Sequence, residues 1–118
     1  MATDAVLMSY DALGEFEQSL LLAIAHLGDA AYGVTIRQEI EARTEREIAV
    51  GALYTSLARL ERKGYVRATM SEPTPQRGGR ARRHFIVTRA GAAALRQSRE
   101  RLARMWEGLG PDLGRTRS

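Results

Sequence analysis

Residues 50–66 and 77–91 hold the side chains best suited to chemistry, and that chemistry is recognition of a polyanion. Of the eighteen basic residues only Lys63 is lysine; the rest are arginine. The guanidinium is a planar fork whose donors match phosphate oxygens and guanine edges two at a time. Charge is unevenly spread. Residues 1–47 carry nine acids and three bases, a net −6, whereas residues 48–104 carry thirteen bases and three acids, a net +10. Within the basic stretch Arg59 and Arg62 follow Gly51, Thr55 and Ala58, while Arg77, Arg80 and Arg82 surround Gly78-Gly79. Arginine-favouring codons alone would raise the arginine content, so the spacing has to carry the argument.

The spacing predicts a third helix over about 50–63. At 100° per residue Leu53, Leu57 and Leu60 fall within roughly a 60° sector. Gly51, Thr55, Ala58, Arg59 and Arg62 gather on the opposite face, small residues first and arginines last. Such a face suits a helix whose first half approaches base edges while its second half touches phosphates. Gly64 stops the helix, Tyr65 to Ser71 form a strand, Glu72 to Gly79 make a tip rich in Pro and Gly, and Arg82 to Val87 return as the partner strand. A basic helix followed by this hairpin is how a winged helix meets DNA, with the helix in the major groove and the charged turn on neighbouring phosphates.

Other elements must hold that helix in place. Residues 1–13 read as a flexible arm. A first helix over 14–27 ends at Gly28, and its second half is apolar on nearly all sides, which requires burial on two faces. Leu20, Leu21 and Ile24 are expected to face a second subunit. Tyr32-Gly33 opens a second helix to about Thr44, with Val34, Ile36 and Ile40 inward and Arg37, Glu39, Glu41 and Arg43 outside. Ile48 and Val50 return the chain to the core. Thr88 caps a last helix over about 89–109, where Gly91, Leu95, Ser98, Leu102, Met105 and Leu109 step by 4, 3, 4, 3, 4, the spacing of a helix–helix seam. So thin a stripe needs a partner, and the first helix of a second copy fits Leu95, Leu102, Met105 and Leu109. Gly110-Pro111 should end this helix. The expected class is mainly α with a small β wing (α+β): an arm over 1–13, a winged helix-turn-helix over 14–88, a dimerisation helix over 89–110 and a frayed tail over 111–118.

Several function classes find no support. Without cysteine there is neither a disulfide framework nor a thiolate metal site. His26 and His84 have no HxxxH or HExxH companion, Glu15 and Glu17 point to different helix faces, and neither GxxxxGK[ST] nor GxGxxG occurs. His26 reads as a helix-end residue and His84 as solvated or near phosphate. No enzyme activity, metal or cofactor is expected. The apolar run Leu20 to Leu27 is far shorter than the roughly 20 residues of a membrane span, and the first residues lack the pattern of a signal peptide. A cytoplasmic chain without membrane contact is the expectation. The competing class is an adaptor whose winged helix binds protein instead of DNA; it calls for an apolar or acidic third helix, and this one is small and basic.

The string Leu53-Tyr54-x-x-Leu57-x-Arg59-Leu60-Glu61-x-x-Gly64, the pair Tyr32-Gly33, Gly78-Gly79-Arg80 and Val87-Thr88-x-x-Gly91 together resemble the PadR family of bacterial regulators, over about residues 14–109. The single short last helix resembles the smaller PadR subgroup. That resemblance implies a homodimeric repressor on a pseudo-palindromic double-stranded operator, touching DNA through Tyr54, Thr55, Arg59 and Arg80. Gly51, Arg62, Arg77, Gly79 and Arg82 complete the expected DNA face. The resemblance also implies release by a small, often aromatic effector. In some small members a tryptophan on the last helix lines a cavity between subunits; here Leu102 takes that place and Trp106 lies one turn further on. Phe16, Leu102 and Trp106 are the effector-site candidates, and the alternative is that Trp106 only packs the dimer.

Overall fold

The computed structural model describes residues 13–70 and 82–116. Among the described residues four α-helices and one hairpin follow in order: α1 (Glu15–Leu27), α2 (Gly33–Thr44), α3 (Val50–Arg62), β1 (Val66–Met70), β2 (Arg83–Val87) and α4 (Arg89–Trp106). The strands pair antiparallel, with Val66 opposite Val87 and Ala68 opposite Phe85. The other edge of β2 is met by residues 31–32. The Phe85 amide donates to the Ala31 carbonyl (2.9 Å), and Tyr32 bridges to His84. This is the α+β winged helix that the pattern of residues predicts.

Apolar periodicity explains the packing. Ile36 and Ile40 of α2 and Leu53, Leu57 and Leu60 of α3 are buried with Val66 and Phe85 in one core. α1 runs through its middle. Leu20, Leu21 and Ile24 are buried within the single chain, so they are not available to a second subunit; the half-exposed apolar residue of α1 is Leu22. The two-sided apolar pattern of α1 thus reflects α2, α3, α4 and β2 packed around it. Leu13, expected in the arm, is also buried in this core. The remaining arm residues, 1–12, lie outside the described residues.

The turn between α2 and α3 is fixed by two side chains expected to be solvated. Arg37 Nε donates to the Ile48 carbonyl (2.8 Å), and Glu41 Oε2 accepts from the Ile48 amide (2.8 Å). Together they hold the extended residues before α3, whose own N-cap, Ala49, offers no side-chain bond. Val34, expected inward, is exposed.

α4 starts as expected and ends earlier. Thr88 Oγ1 accepts from the Gly91 amide (3.1 Å) and donates to the Gly64 carbonyl (2.6 Å). The helix closes at Trp106, three residues short of Leu109. From there the chain turns back on itself in place of fraying: Gly110 N donates to Gly114 O (2.7 Å), Thr116 N to Gly108 O (2.8 Å), and Leu109 bridges to Arg115. Among the described residues no helix is long and apolar enough to cross a membrane.

Candidate nucleic-acid interface

α3 turns Leu53, Ser56, Leu57 and Leu60 into the core, which leaves Gly51, Thr55, Arg59 and Arg62 exposed on the far side. A Cβ at Gly51 would meet nothing within 4 Å. The Gly51 side of the first turn of α3 is therefore open, and its small residues let another molecule come close to the helix backbone.

Tyr54 flanks this face, half exposed. Its ring lies against the first residue of α2, where a Cβ on Gly33 would be 2.0 Å from the Tyr54 hydroxyl. With the ring in this position there is no room for a Cβ on residue 33. Tyr32, Gly33, Val34, Tyr54, Arg82, Arg83 and Phe85 line the crevice between the start of α2, α3 and β2.

Two arginines mark the base of the hairpin. The Arg82 guanidinium stacks over the Tyr32 ring at 4.1 Å from its centroid. Arg83 Nη2 donates to both oxygens of Glu61 at 2.9 Å, which ties β2 to the end of α3. His84, expected to be solvated or near phosphate, is half-buried instead. Its Nε2 lies 3.0 Å from the Gly28 carbonyl, and its ring packs on Tyr32 at 5.5 Å. Arg77, Gly78, Gly79 and Arg80 lie outside the described residues.

Glu17 is the polar group that reading the sequence missed. It is buried on α1, takes the Gly14 amide at 3.2 Å, and faces Lys63 Nζ at 3.2 Å and Arg59 Nη1 at 3.9 Å. An acid in the first turn of an apolar helix, with the basic end of another helix to receive it, was the available signal.

The seam expected along α4 divides in two. Gly91 packs inside the chain, where a Cβ would stand 2.2 Å from the Tyr65 carbonyl oxygen, and Leu95 packs against the core. Beyond them Leu102, Met105, Trp106 and Leu109 are exposed. A groove of about 610 Å³ lies between α1 and α4, lined by Leu22, Leu95, Leu102 and Trp106, with Gln18, Arg96 and Arg99 among its polar residues. Leu102 and Trp106 come together there. Phe16 does not line it and packs against the core.

A model of the transcriptional regulator PadR-like family matches residues 21–97. Among solved structures, a transcriptional regulator from Clostridium thermocellum is similar at 25% identity and a TM-score of 0.65, over 87% of this chain and 92% of that one. A PadR-like transcription factor from Bacteroides fragilis superposes with a TM-score of 0.68 at 20% identity, over 91% and 94% of the two chains. A PadR family regulator from Eggerthella lenta gives 0.61 at 23% identity, over 92% of each. No curated protein is matched. The matched span runs from α1 through the hairpin into α4, and the chain belongs to the PadR-like family of transcriptional regulators, which bind DNA and are not enzymes.

Proposed function

We propose that this protein is a cytoplasmic, homodimeric repressor that holds a pseudo-palindromic operator and leaves it when a small aromatic effector binds. In this reading α3 enters the major groove. Gly51 and Thr55 approach base edges, Tyr54 and Arg62 flank them, and Arg59 meets a phosphate. Arg77, Gly79, Arg80 and Arg82 carry the wing onto adjacent phosphates. The observation that carries the reading is the exposed face of α3, where a Cβ on Gly51 would meet nothing within 4 Å and arginines follow two to three turns on.

The far half of α4 supports the dimer. Leu102, Met105 and Trp106 are 60%, 74% and 48% exposed, and Leu22 of α1 is 48% exposed nearby. Contiguous apolar surface of this kind marks an interaction site. A second copy would cover it and set two α3 helices at a fixed spacing, as a two-fold operator requires. The groove beside Trp106 supports the effector. Its volume lies in the range of roughly 300–1,000 Å³ usual for small-molecule sites, and Arg96 and Arg99 suit an anionic substituent.

The test is a fluorescence titration of duplex DNA taken from upstream of the protein's own coding sequence, with sedimentation of the complex. Two copies per site, bound far more tightly than to unrelated DNA, support the reading. Affinity no different from that for unrelated DNA rejects it.

A further inference from the structure

Glu17 sits on α1, outside the α3 face, yet it touches two cations at the end of that face. The residue is 8% exposed. Lys63 Nζ lies 3.4 and 3.2 Å from its two carboxylate oxygens, while Arg59 Nη1 stands 3.9 Å from one of them. Arg59 and Lys63 are four residues apart and so share one side of the helical end. Their situations differ. The Lys63 side chain is 24% exposed and within hydrogen-bond reach, whereas that of Arg59 is 47% exposed and beyond it.

A carboxylate this shielded from water requires a cation in contact, because an unpaired buried charge is strongly unfavourable. Lys63 meets the requirement. Its ammonium is compact, and it also lies 6.0 Å from the centroid of the Tyr65 ring. Lys63 is the sole lysine of a chain otherwise supplied with arginine. With Glu17 satisfied in this way, the Arg59 guanidinium stays on the solvent side of α3.

We propose that Lys63 is a positioning residue: by neutralising Glu17 it keeps Arg59 available to the DNA backbone, and it touches no phosphate itself. The inference rests on the assignment of Arg59 to DNA given above. Without the ammonium, Arg59 is the other cation within 4.0 Å of Glu17 among the described residues. Its flexible stem closes the remaining distance, and the guanidinium is withdrawn from the phosphate. Lys63 thus acts on DNA through Arg59, and only by way of the Glu17 carboxylate.

The experiment measures how affinity for the upstream duplex depends on salt, for wild type, Arg59→Ala, Lys63→Met, Glu17→Gln and Glu17→Gln/Lys63→Met. One lost phosphate contact flattens the log–log slope by about one unit. The expected result is that Arg59→Ala and Lys63→Met each flatten it by about one unit. Glu17→Gln keeps the wild-type slope, and Lys63→Met makes no difference in the Glu17→Gln background. A wild-type slope for Lys63→Met overturns the proposal. Equal flattening with and without Glu17 also overturns it, because Lys63 then acts by its own contact or by net charge. An unchanged slope for Arg59→Ala overturns this proposal together with the assignment of Arg59 to DNA; a flattened one leaves that assignment standing whatever Lys63 does. Should Lys63→Met alone not fold, the comparison of Glu17→Gln with the double variant, which buries no unpaired charge, tests the absence of a direct contact: equal slopes support the claim that Lys63 touches no phosphate, and a flatter double variant overturns it.

Discussion

The hydroxyl of Tyr54 lies so close over Gly33 that a Cβ at position 33 would stand 2.0 Å away. This contact joins the start of α2 to the second turn of α3. Gly91 lies close to a different kind of neighbour: a Cβ there would stand 2.2 Å from the Tyr65 carbonyl oxygen. The Tyr54 ring is half exposed and swings outward; a backbone carbonyl has nowhere to go. Overpacking generally costs about 1–3 kcal/mol. We expect Gly33→Ala near the lower end of that range and Gly91→Ala near ~3 kcal/mol, read from urea unfolding midpoints. Equal costs would contradict this account of the two glycines.

Phosphate anchoring predicts a salt signature at the wing. Arg80→Ala should weaken binding to all sequences alike and flatten the salt slope by about one unit. An unchanged affinity and slope would move the basic contact elsewhere on the hairpin.

Base readout is assigned to Thr55. Thr55→Ala should lose discrimination at one or two operator positions, by roughly 1–3 kcal/mol for a good base contact. Affinity measured across single-base operator variants checks this. A uniform loss at every position would make Thr55 a backbone contact.

Much of this arrangement is legible in the residues because α3 and the hairpin each bury one face, and a one-sided apolar period survives in the sequence. Leu53, Leu57 and Leu60 mark the inner face of α3, and Val66 and Phe85 that of the hairpin. α1 is harder to read. An all-round apolar helix does not say whether its second face meets the same chain or another, and here Leu20, Leu21 and Ile24 are covered from within. The same ambiguity hides Gly91, whose place in a heptad-like series is a close approach to Tyr65. Pairings such as Arg37 and Glu41 with Ile48, or Glu17 with Lys63, join a helix to residues outside it, and helical periodicity cannot carry that information.

The dimer is assigned to the exposed half of α4. Because Leu102 is exposed in the single chain, Leu102→Asp should leave the chain folded and separate the copies, since a carboxylate would be buried unpaired between them. Operator affinity should fall with the dimer. Sedimentation and a binding titration of wild type and variant make the comparison. A monomeric wild type, or a monomeric variant with unchanged affinity, would sink the clamp.

The central claim is that the exposed face of α3 reads DNA, and Gly51→Glu tests it most directly. A Cβ there meets nothing within 4 Å and the position is exposed, so the variant should unfold at the same denaturant concentration as wild type, within about 0.5 kcal/mol for an exposed site. In a titration of the upstream duplex at matched salt, the account predicts that wild type binds and that the carboxylate, set against the groove, abolishes specific binding. A folded Gly51→Glu variant that binds this DNA with wild-type affinity would contradict the account.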